Sequence, residues 1–505
     1  MITTMDKAIQ ELRRRREQGE ALGGPERIAR QHARGLLTAR ERIDLLLDPG
    51  SPRVEVSPIS GFGRVHGRLV AYHATDATYK GGAGGGGRRG PSVEEVARAA
   101  ALPVIALLQE GGGNVQALMG SRLARRGAAN SGSVMGRALA RPRRGLRLRV
   151  ALGNLYGPPN LGLCDLAFMS KISNCSITSP TLNKAAMGEV VSEAEMGSWE
   201  VHARLTGQVD VVGEDDPDTI RLTREAFNYL PGNVFEEPPI KWSGDPIDRR
   251  DEALLSIIPD NFRRPYDMYK VIKAVADDGV FFELLPHFGR AIITGLARMA
   301  GYPVGIVANQ TLYQAGAIDA DCFVKAKRLT DLCGTFHLPM LFFHDTPGVL
   351  TSRQQEHNRL QSKAMDFMVA LAEADVPKVS IVVRKSYGLA YFVMNGSAPG
   401  NNFTFAWPTA SIAFMAPEPA VRIAYRRQLA QTSDPAALEQ TLGEPWRREA
   451  EPWQGAKMAG LDDIIDPRDT RRMVIKVLEY GMGAAKTAQR RWPSQKGIAL
   501  GQQRK

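Results

Sequence analysis

Cysteine is scarce in this chain and follows no pattern that would hold a metal. The four cysteines are Cys164, Cys175, Cys322 and Cys333, and no two of them have the short spacing of a zinc site. We expect reduced, buried thiols of a cytoplasmic protein rather than a disulfide framework. No Ser/His/Asp set and no cluster of metal ligands has a persuasive spacing either, so the sequence predicts no metal site.

Long apolar runs are also lacking, which argues against a membrane-spanning segment. No run approaches the roughly 18 residues of a membrane span. Residues 1–22 are basic and helical in pattern, but they include acidic residues and no apolar core, so we do not interpret them as a targeting peptide. A chain of 505 residues is long enough for two domains with full cores.

Negative charge is in deficit, with 54 acidic against 65 basic residues and a net charge of +11. The basic run at residues 141–149 has no interleaved aromatic residues, which argues against nucleic-acid binding. A solvated face is the simpler interpretation, and a substrate that carries phosphates would also suit this surface. The glycine-rich stretch at residues 80–90 lacks Walker and dinucleotide spacing and predicts a flexible loop; wrapping of phosphates is the alternative.

The most informative stretch that is present is VSIVVRKSYGLAYFVM at residues 379–394. Its β-branched run predicts a buried strand, and Gly388 predicts a sharp turn into a helix. A strand that turns into a helix leaves unpaired backbone N–H groups at the helix start, where the helix dipole adds positive potential. Such groups can stabilise an oxyanion, although a single example is usually an ordinary turn.

The same arrangement occurs twice, which indicates a duplicated domain. Leu-Pro pairs at residues 102–103 and 338–339 each open a buried run that ends in a glycine turn. About 50 residues further on, each half has a second strand with a glycine turn, at Gly157 and at Gly388. Alternating strands and helices predict a parallel α/β architecture in each half. Residues 232–251 are the predicted linker, and Thr38 with Glu41 predicts a helix capping box.

A series of ordered motifs runs along nearly the whole chain. They are LTARERID at 37–44, DPGS at 48–51, His202 with TGQVD at 206–210, RPYDM at 264–268, GIVANQ at 305–310, Asp345 with PG at 347–348, QE at 355–356, RK at 384–385 with YG at 387–388, AWPTA at 406–410 and DIIDPRDTRR at 463–472. This series resembles the carboxyltransferase (β) subunits of biotin-dependent acyl-CoA carboxylases, such as propionyl-CoA and methylcrotonyl-CoA carboxylase.

The resemblance implies two tandem crotonase-like (ClpP/crotonase) domains. Residues 1–240 would form the N-terminal acyl-CoA-binding domain and residues 241–505 the C-terminal carboxybiotin-binding domain. In this family the active site lies between the N-terminal domain of one subunit and the C-terminal domain of another, which implies a homo-oligomer, usually a ring of dimers. Lys457 lies in an incomplete biotin-attachment motif, so the biotin is expected on a biotin carboxylase/biotin carrier partner.

The activity that the resemblance implies is transfer of a carboxyl group from carboxybiotin to the α-carbon of a short acyl-CoA. The family needs no side-chain base, because the biotin anion takes the α-proton and two backbone oxyanion holes stabilise the charges. The N–H groups of Leu389 and Ala390 correspond to the biotin-side hole, and Gly157 to the thioester-side hole. The remaining residues assigned to substrate binding are Gly111, Gly112, Tyr156, Gly388, Tyr391 and Phe392.

Two departures from the family pattern keep alternatives open. Pro158 follows Gly157 and has no N–H, and loss of one oxyanion donor typically costs about 10² to 10³ in rate. Leu389 stands where the family has glycine, so its backbone must be conventional. The alternatives are a non-catalytic or regulatory paralogue and a biotin-independent acyl-CoA decarboxylase. We expect structural roles for His202, as a hydrogen-bonding histidine, and for Asp345, as a strand-end carboxylate that bonds a loop.

Overall fold

The computed structural model describes residues 5–82, 93–112, 144–157, 161–396, 402–457 and 460–491. Most of the predicted flexible loop at residues 80–90 lies outside these ranges, as does Pro158. Contacts divide the chain into two compact units, Met1–Glu236 and Glu237–Lys505. The division falls within the segment that the sequence suggested as a linker.

The first unit is built on one sheet. Its strands are β1 (Val54–Ser57), β2 (Ser60–Val65), β3 (Arg68–Ala74), β4 (Val104–Glu110), β5 (Arg147–Tyr156), β6 (Leu166–Ser170), β7 (Asn174–Ser176) and β8 (Val211–Gly213). Its α-helices are α1 (Met5–Glu20), α2 (Pro25–His32), α3 (Ala39–Leu46), α4 (Val93–Ala99), α5 (Pro180–Met187), α6 (Glu193–Gly197) and α7 (Asp216–Tyr229). A π-helical turn covers Val201–Leu205 and a 3₁₀ turn Lys80–Gly82.

The second unit has a sheet of the same size. Its strands are β9 (Phe281–Leu284), β10 (Ile292–Met299), β11 (Tyr302–Asn309), β12 (Met340–Thr346), β13 (Lys378–Tyr387), β14 (Asn402–Ala406), β15 (Ser411–Ala413) and β16 (Asp463–Ile464). Its α-helices are α8 (Tyr269–Val275), α9 (Ala320–Phe336), α10 (Arg353–His357), α11 (Leu360–Glu373), α12 (Leu389–Val393), α13 (Pro417–Ala424), α14 (Arg426–Gln431), α15 (Pro435–Glu449), α16 (Pro452–Lys457) and α17 (Thr470–Arg491). Its 3₁₀ turns are Glu252–Leu255, Asp277–Gly279, Gln314–Gly316 and Pro467–Asp469.

The two sheets have the same topology, strand for strand. The first runs β1-β2-β3-β4-β5-β6-β8 with β7 paired to β5, and the second runs β9-β10-β11-β12-β13-β14-β16 with β15 paired to β13. In each sheet the first three strands are antiparallel and the later pairs are parallel. The predicted duplication and the α/β architecture are therefore confirmed.

The central strands have continuous apolar sequences because both of their faces are buried. In β13, Val379, Ile381 and Val383 belong to one core cluster, while Val382 belongs to another on the opposite face. Both faces of the strand are therefore covered, as in a parallel sheet flanked by helices. The capping box at Thr38 is present, with Thr38 and Glu41 bonding reciprocally at the start of α3.

Two further features predicted from the sequence concern the cysteines and the membrane-spanning segments. All four cysteines are unpaired and buried. Among the described helices, none combines the length and the apolar character needed to cross a membrane.

Candidate active site

The turn after β13 presents two backbone N–H groups that have no acceptor among the described residues. The N–H of Gly388 donates to the Ala413 carbonyl oxygen in β15, at 2.9 Å. The next two N–H groups, of Leu389 and Ala390, begin α12 and have no acceptor within the described parts of the chain. Two adjacent free donors are the arrangement that stabilises an oxyanion.

Gly388 carries the conformational demand of this turn. Its φ of 59° and ψ of −136° lie in a region that favours glycine, and an added Cβ would be 2.9 Å from the Phe414 carbonyl oxygen. Leu389 is not among the residues with positive φ. A leucine at this position can be accommodated only if its φ is negative, and the structure agrees with that expectation.

The two aromatic residues after the turn have different environments. Tyr391 is buried: its hydroxyl donates to the Gly460 carbonyl oxygen at 2.8 Å, and its ring meets His344 edge-on. Phe392 is 54% exposed, with its ring centroid 5.5 Å from that of Tyr391. Phe392 is therefore available to a ligand, whereas Tyr391 anchors the helix.

A bulge in β13 lies directly before this turn. His344 in β12 pairs with Val382 in β13, and Thr346 pairs with Ser386. Between these two pairs β13 therefore has more residues than β12. Asp345 lies opposite the extra residues, and its carboxylate accepts hydrogen bonds from Arg384 Nε at 2.9 Å and from the Lys385 N–H at 3.4 Å. Burial raises the pKa of Asp345, and the neighbouring cations oppose this rise. Bulges of this kind redirect the end of a strand.

The turn after β5 in the first unit repeats the anchoring bond. The Gly157 N–H donates to the Ser176 carbonyl oxygen in β7 at 3.1 Å, as the Gly388 N–H does to Ala413. The Gly157 N–H, predicted as a thioester-side donor, is thus engaged within the sheet.

In the first unit, an N–H without an acceptor in the described ranges lies at Gly112 instead. The Gly111 N–H donates to the Gly81 carbonyl oxygen at 2.8 Å, whereas the Gly112 N–H has no acceptor among the residues that the structure describes. A Cβ at Gly112 would lie 3.4 Å from Tyr156 Cβ, so the structure brings these two predicted residues together. The Tyr156 hydroxyl donates to Glu193 Oε1 at 2.7 Å, and burial raises its pKa.

A buried polar network behind this site was missed by the sequence reasoning. Arg42 in α3 donates from Nε to Asp216 Oδ2 at 2.8 Å and from Nη2 to Gln109 Oε1 at 3.1 Å. Gln109, near the end of β4, also bonds Gln31 in α2. Arg42 lies in the family motif at residues 37–44, but no local sequence pattern indicates which distant residues it bonds.

The expected structural role of His202 is confirmed. Its Nε2 lies 2.6 Å from the Cys175 carbonyl oxygen in β7. His202 therefore holds the short strand that receives the Gly157 N–H.

Comparison with known proteins identifies the family of this scaffold. Residues 30–496 match the carboxyl transferase domain. The propionyl-CoA carboxylase carboxyltransferase subunit of Haloferax mediterranei is 36% identical over 94% of this chain and 95% of that protein. The propionyl-CoA carboxylase beta chain of Roseobacter denitrificans is 32% identical over 98% of this chain and 100% of that protein.

A solved structure agrees with these sequence relatives. The transcarboxylase 12S structure, a hexamer with methylmalonyl-CoA and methylmalonic acid bound, superposes with a TM-score of 0.86 at 28% identity, covering 95% of each chain. The prediction of tandem crotonase-like domains is confirmed, and the names of the propionyl-CoA carboxylase relatives support carboxyl transfer to an acyl-CoA. This chain belongs to the carboxyl transferase domain family, as a carboxyltransferase of the acyl-CoA carboxylase type.

Proposed function

We propose that this chain transfers a carboxyl group from carboxybiotin to the α-carbon of a short acyl-CoA. The observation that supports the proposal is that the N–H groups of Leu389 and Ala390, directly after the anchored Gly388, have no acceptor in the part of the chain that the structure describes. When bound, carboxybiotin supplies an activated carboxyl group and a ureido oxygen that gains negative charge as the carboxyl group leaves. The two N–H groups would hold that oxygen, each contributing about 10² to 10³ in rate.

The two units would divide the ligands between them. Residues 241–505, with Gly388, Leu389, Ala390, Tyr391 and Phe392, would receive the carboxybiotin. Residues 1–240 would receive the acyl-CoA at Gly111, Gly112, Tyr156 and Gly157. In this proposal the Gly112 N–H is the donor available to the thioester oxygen, because the Gly157 N–H already bonds Ser176.

The proposal includes partners. A biotin carboxylase/biotin carrier subunit would bring the biotin, and copies of this chain would assemble as a ring of dimers. The hexamer of the similar transcarboxylase 12S supports an assembly of this kind. The exposed ring of Phe392 beside the turn would limit the length of the acyl chain.

The reverse reaction tests the activity directly. Purified protein is mixed with free biotin and malonyl-CoA or methylmalonyl-CoA, and loss of the carboxylate is measured. Turnover that requires biotin supports the carboxyltransferase. Turnover that ignores biotin would indicate a decarboxylase, and a folded protein without turnover would favour the non-catalytic paralogue.

A matched pair of variants tests the proposed donor. Leu389→Pro removes the N–H at the first helical position, where proline is otherwise tolerated, whereas Leu389→Ala keeps it. We expect the biotin-dependent rate to fall roughly 10² to 10³-fold in L389P and only a few-fold in L389A. Equal rates for the two folded variants would rule out the Leu389 N–H as a donor.

A further inference from the structure

The bulge before the biotin-side turn is held by a buried ion pair. Asp345 and Arg384 have side chains that are 0% and 1% exposed, and Arg384 Nε lies 2.9 Å from Asp345 Oδ2. The other carboxylate oxygen, Oδ1, accepts the backbone N–H of Lys385. One carboxylate thus bonds both a side chain and a main-chain group of the extra residues in β13.

The same pair is tied to its surroundings on two further sides. The Asp345 N–H donates to Asn309 Oδ1, at the end of β11, at 3.1 Å. Arg384 Nη1 donates to the Arg264 carbonyl oxygen at 3.0 Å, and its guanidinium lies 5.0 Å from the centre of the Tyr266 ring. These contacts fix the bulge relative to both β11 and the segment before α8.

The first unit builds the same bulge with an uncharged residue in the position of Asp345. There β4 advances from Leu108 to Glu110 while β5 advances from Ala151 to Leu155. Gln109 takes the position that Asp345 has in the second unit, and its backbone N–H bonds Thr75 at the end of β3. The arginine that contacts Gln109 comes from α3, outside the bulge. Only in the second unit does the arginine belong to the strand that continues into the turn.

We propose that Asp345 is a positioning residue for the biotin-side turn. By holding the Arg384 side chain and the Lys385 N–H, it fixes the bulge that sets the direction of Gly388 and of the Leu389 and Ala390 N–H groups. This inference rests on the proposed function of that turn. It adds a role for the ion pair that acts on the site through the backbone rather than through contact with a ligand.

The test separates positioning from stability by removing both charges of the Asp345–Arg384 pair together, while Lys385, whose Nζ lies 3.9 Å from Asp345 Oδ1, is retained. Loss of one partner leaves an uncompensated buried charge and destabilises strongly, whereas replacing both partners with groups of similar volume is often tolerated. Asp345→Asn alone, and the double variant D345N/R384M, are therefore compared. We expect the double variant to unfold at a higher temperature than D345N, while both lack the ion pair between Asp345 and Arg384.

A second buried pair in the same unit serves as the matched control. Arg471 Nη2 lies 2.7 Å from Asp277 Oδ1, and both side chains are buried. Asp277 accepts the N–H groups of Ala300 and Gly301, just before β11 begins. Since β11, β12 and β13 are parallel, this pair lies at the opposite edge of the sheet from the turn. D277N/R471M removes a buried carboxylate–guanidinium pair at the other end of these strands.

The measured quantities are kcat, the KM for each substrate and backbone hydrogen exchange. In D345N/R384M we expect the biotin-dependent kcat to fall roughly 10²-fold, because small misplacements of reacting groups cost that much. The KM for methylmalonyl-CoA should stay within about two-fold, and exchange in the peptide with Leu389 and Ala390 should quicken. D277N/R471M should keep its kcat and its exchange in that peptide.

Two results would overturn the proposal. One is a D345N/R384M variant with the kcat and exchange of the control pair. The other is a loss of activity that follows only the loss of folded protein in both pairs. If the wild type itself lacks biotin-dependent turnover, the proposed function fails, and the exchange comparison still decides whether Asp345 positions the turn.

Discussion

Gly388 is the residue on which the candidate biotin-side hole depends most directly. Gly388→Ala would place a Cβ 2.9 Å from the Phe414 carbonyl oxygen at a φ of 59°, so the turn would have to move. We expect a biotin-dependent rate at least roughly 10²-fold below wild type, because both free N–H groups follow this residue.

The control for this change is another glycine with a positive φ. Gly188 ends α5 with φ 73°, and an added Cβ there would meet nothing within 4 Å. Gly188→Ala should lower the thermal midpoint slightly and leave kcat unchanged. Wild-type kcat in folded G388A would contradict the assignment of the hole.

Lys325 gives the protein a pH-dependent stability that can be tested. Its side chain is 1% exposed, and burial lowers its pKa to about 8, while Glu283 partly opposes the shift. In the unfolded chain a lysine titrates near 10.4. Below about pH 8, Lys325 is protonated in both the folded and the unfolded chain, so the folded state bears the full cost of burying its charge.

Stability rises with pH because the unfolded chain keeps the Lys325 proton to a higher pH than the folded chain does. Between about pH 8 and 10.4 the unfolded chain binds more protons, so stability relative to Lys325→Met should rise with pH by about 1.4 kcal/mol per unit. We expect K325M to have the larger free energy of unfolding at pH 8. By pH 9.5 its advantage over wild type should be smaller, as measured by thermal unfolding. Lys327→Met, which removes a partly exposed lysine from the same helix, serves as the control. A pH-independent gap for K325M would contradict this account.

The sequence could predict those backbone arrangements that depend on neighbouring residues alone. Gly388, Leu389 and Ala390 follow one another, so a strand, a turn and a helix start were enough to predict donors there. The Gly157 N–H was predicted as free but bonds Ser176, because β7 pairs with the end of β5 and this pairing depends on tertiary structure. The partner of Asp345 was equally hidden, since a buried charge can be paired from any element.

At the scale of elements, periodicity and caps predicted the strands well and one helix poorly. The Leu-Pro entries lead into β4 and β12, and the capping box at Thr38 opens α3. The run after Gly388 favoured a helix, yet α12 has only 5 residues. Asn395, with φ 67°, ends it in a left-handed conformation, and the Gly396 N–H bonds the Tyr391 carbonyl oxygen. A helix this short adds little dipole, so the two N–H groups themselves provide the positive potential.

At the scale of the whole molecule, we expect the net positive charge to assist capture of a CoA ester. The chain carries +11, and a CoA ester carries several phosphate charges, so their attraction is screened by salt. We expect the KM for methylmalonyl-CoA to rise several-fold between roughly 20 and 300 mM NaCl, with little change in kcat. Free biotin has one carboxylate, and its KM should change less. A salt-independent KM for the CoA ester would show that charge does not assist capture.

The matching strand orders of the two units have an evolutionary consequence. Two copies of one ancestral unit, joined in a single chain, are inherited together but can accept substitutions separately. One copy retains two adjacent donors after its glycine, at Leu389 and Ala390, while the other has Pro158 and Pro159 in sequence after Gly157. If the proposed division of ligands holds, the unit of residues 1–240 can therefore drift towards new acyl-CoA substrates while the unit of residues 241–505 stays under selection for the same carrier.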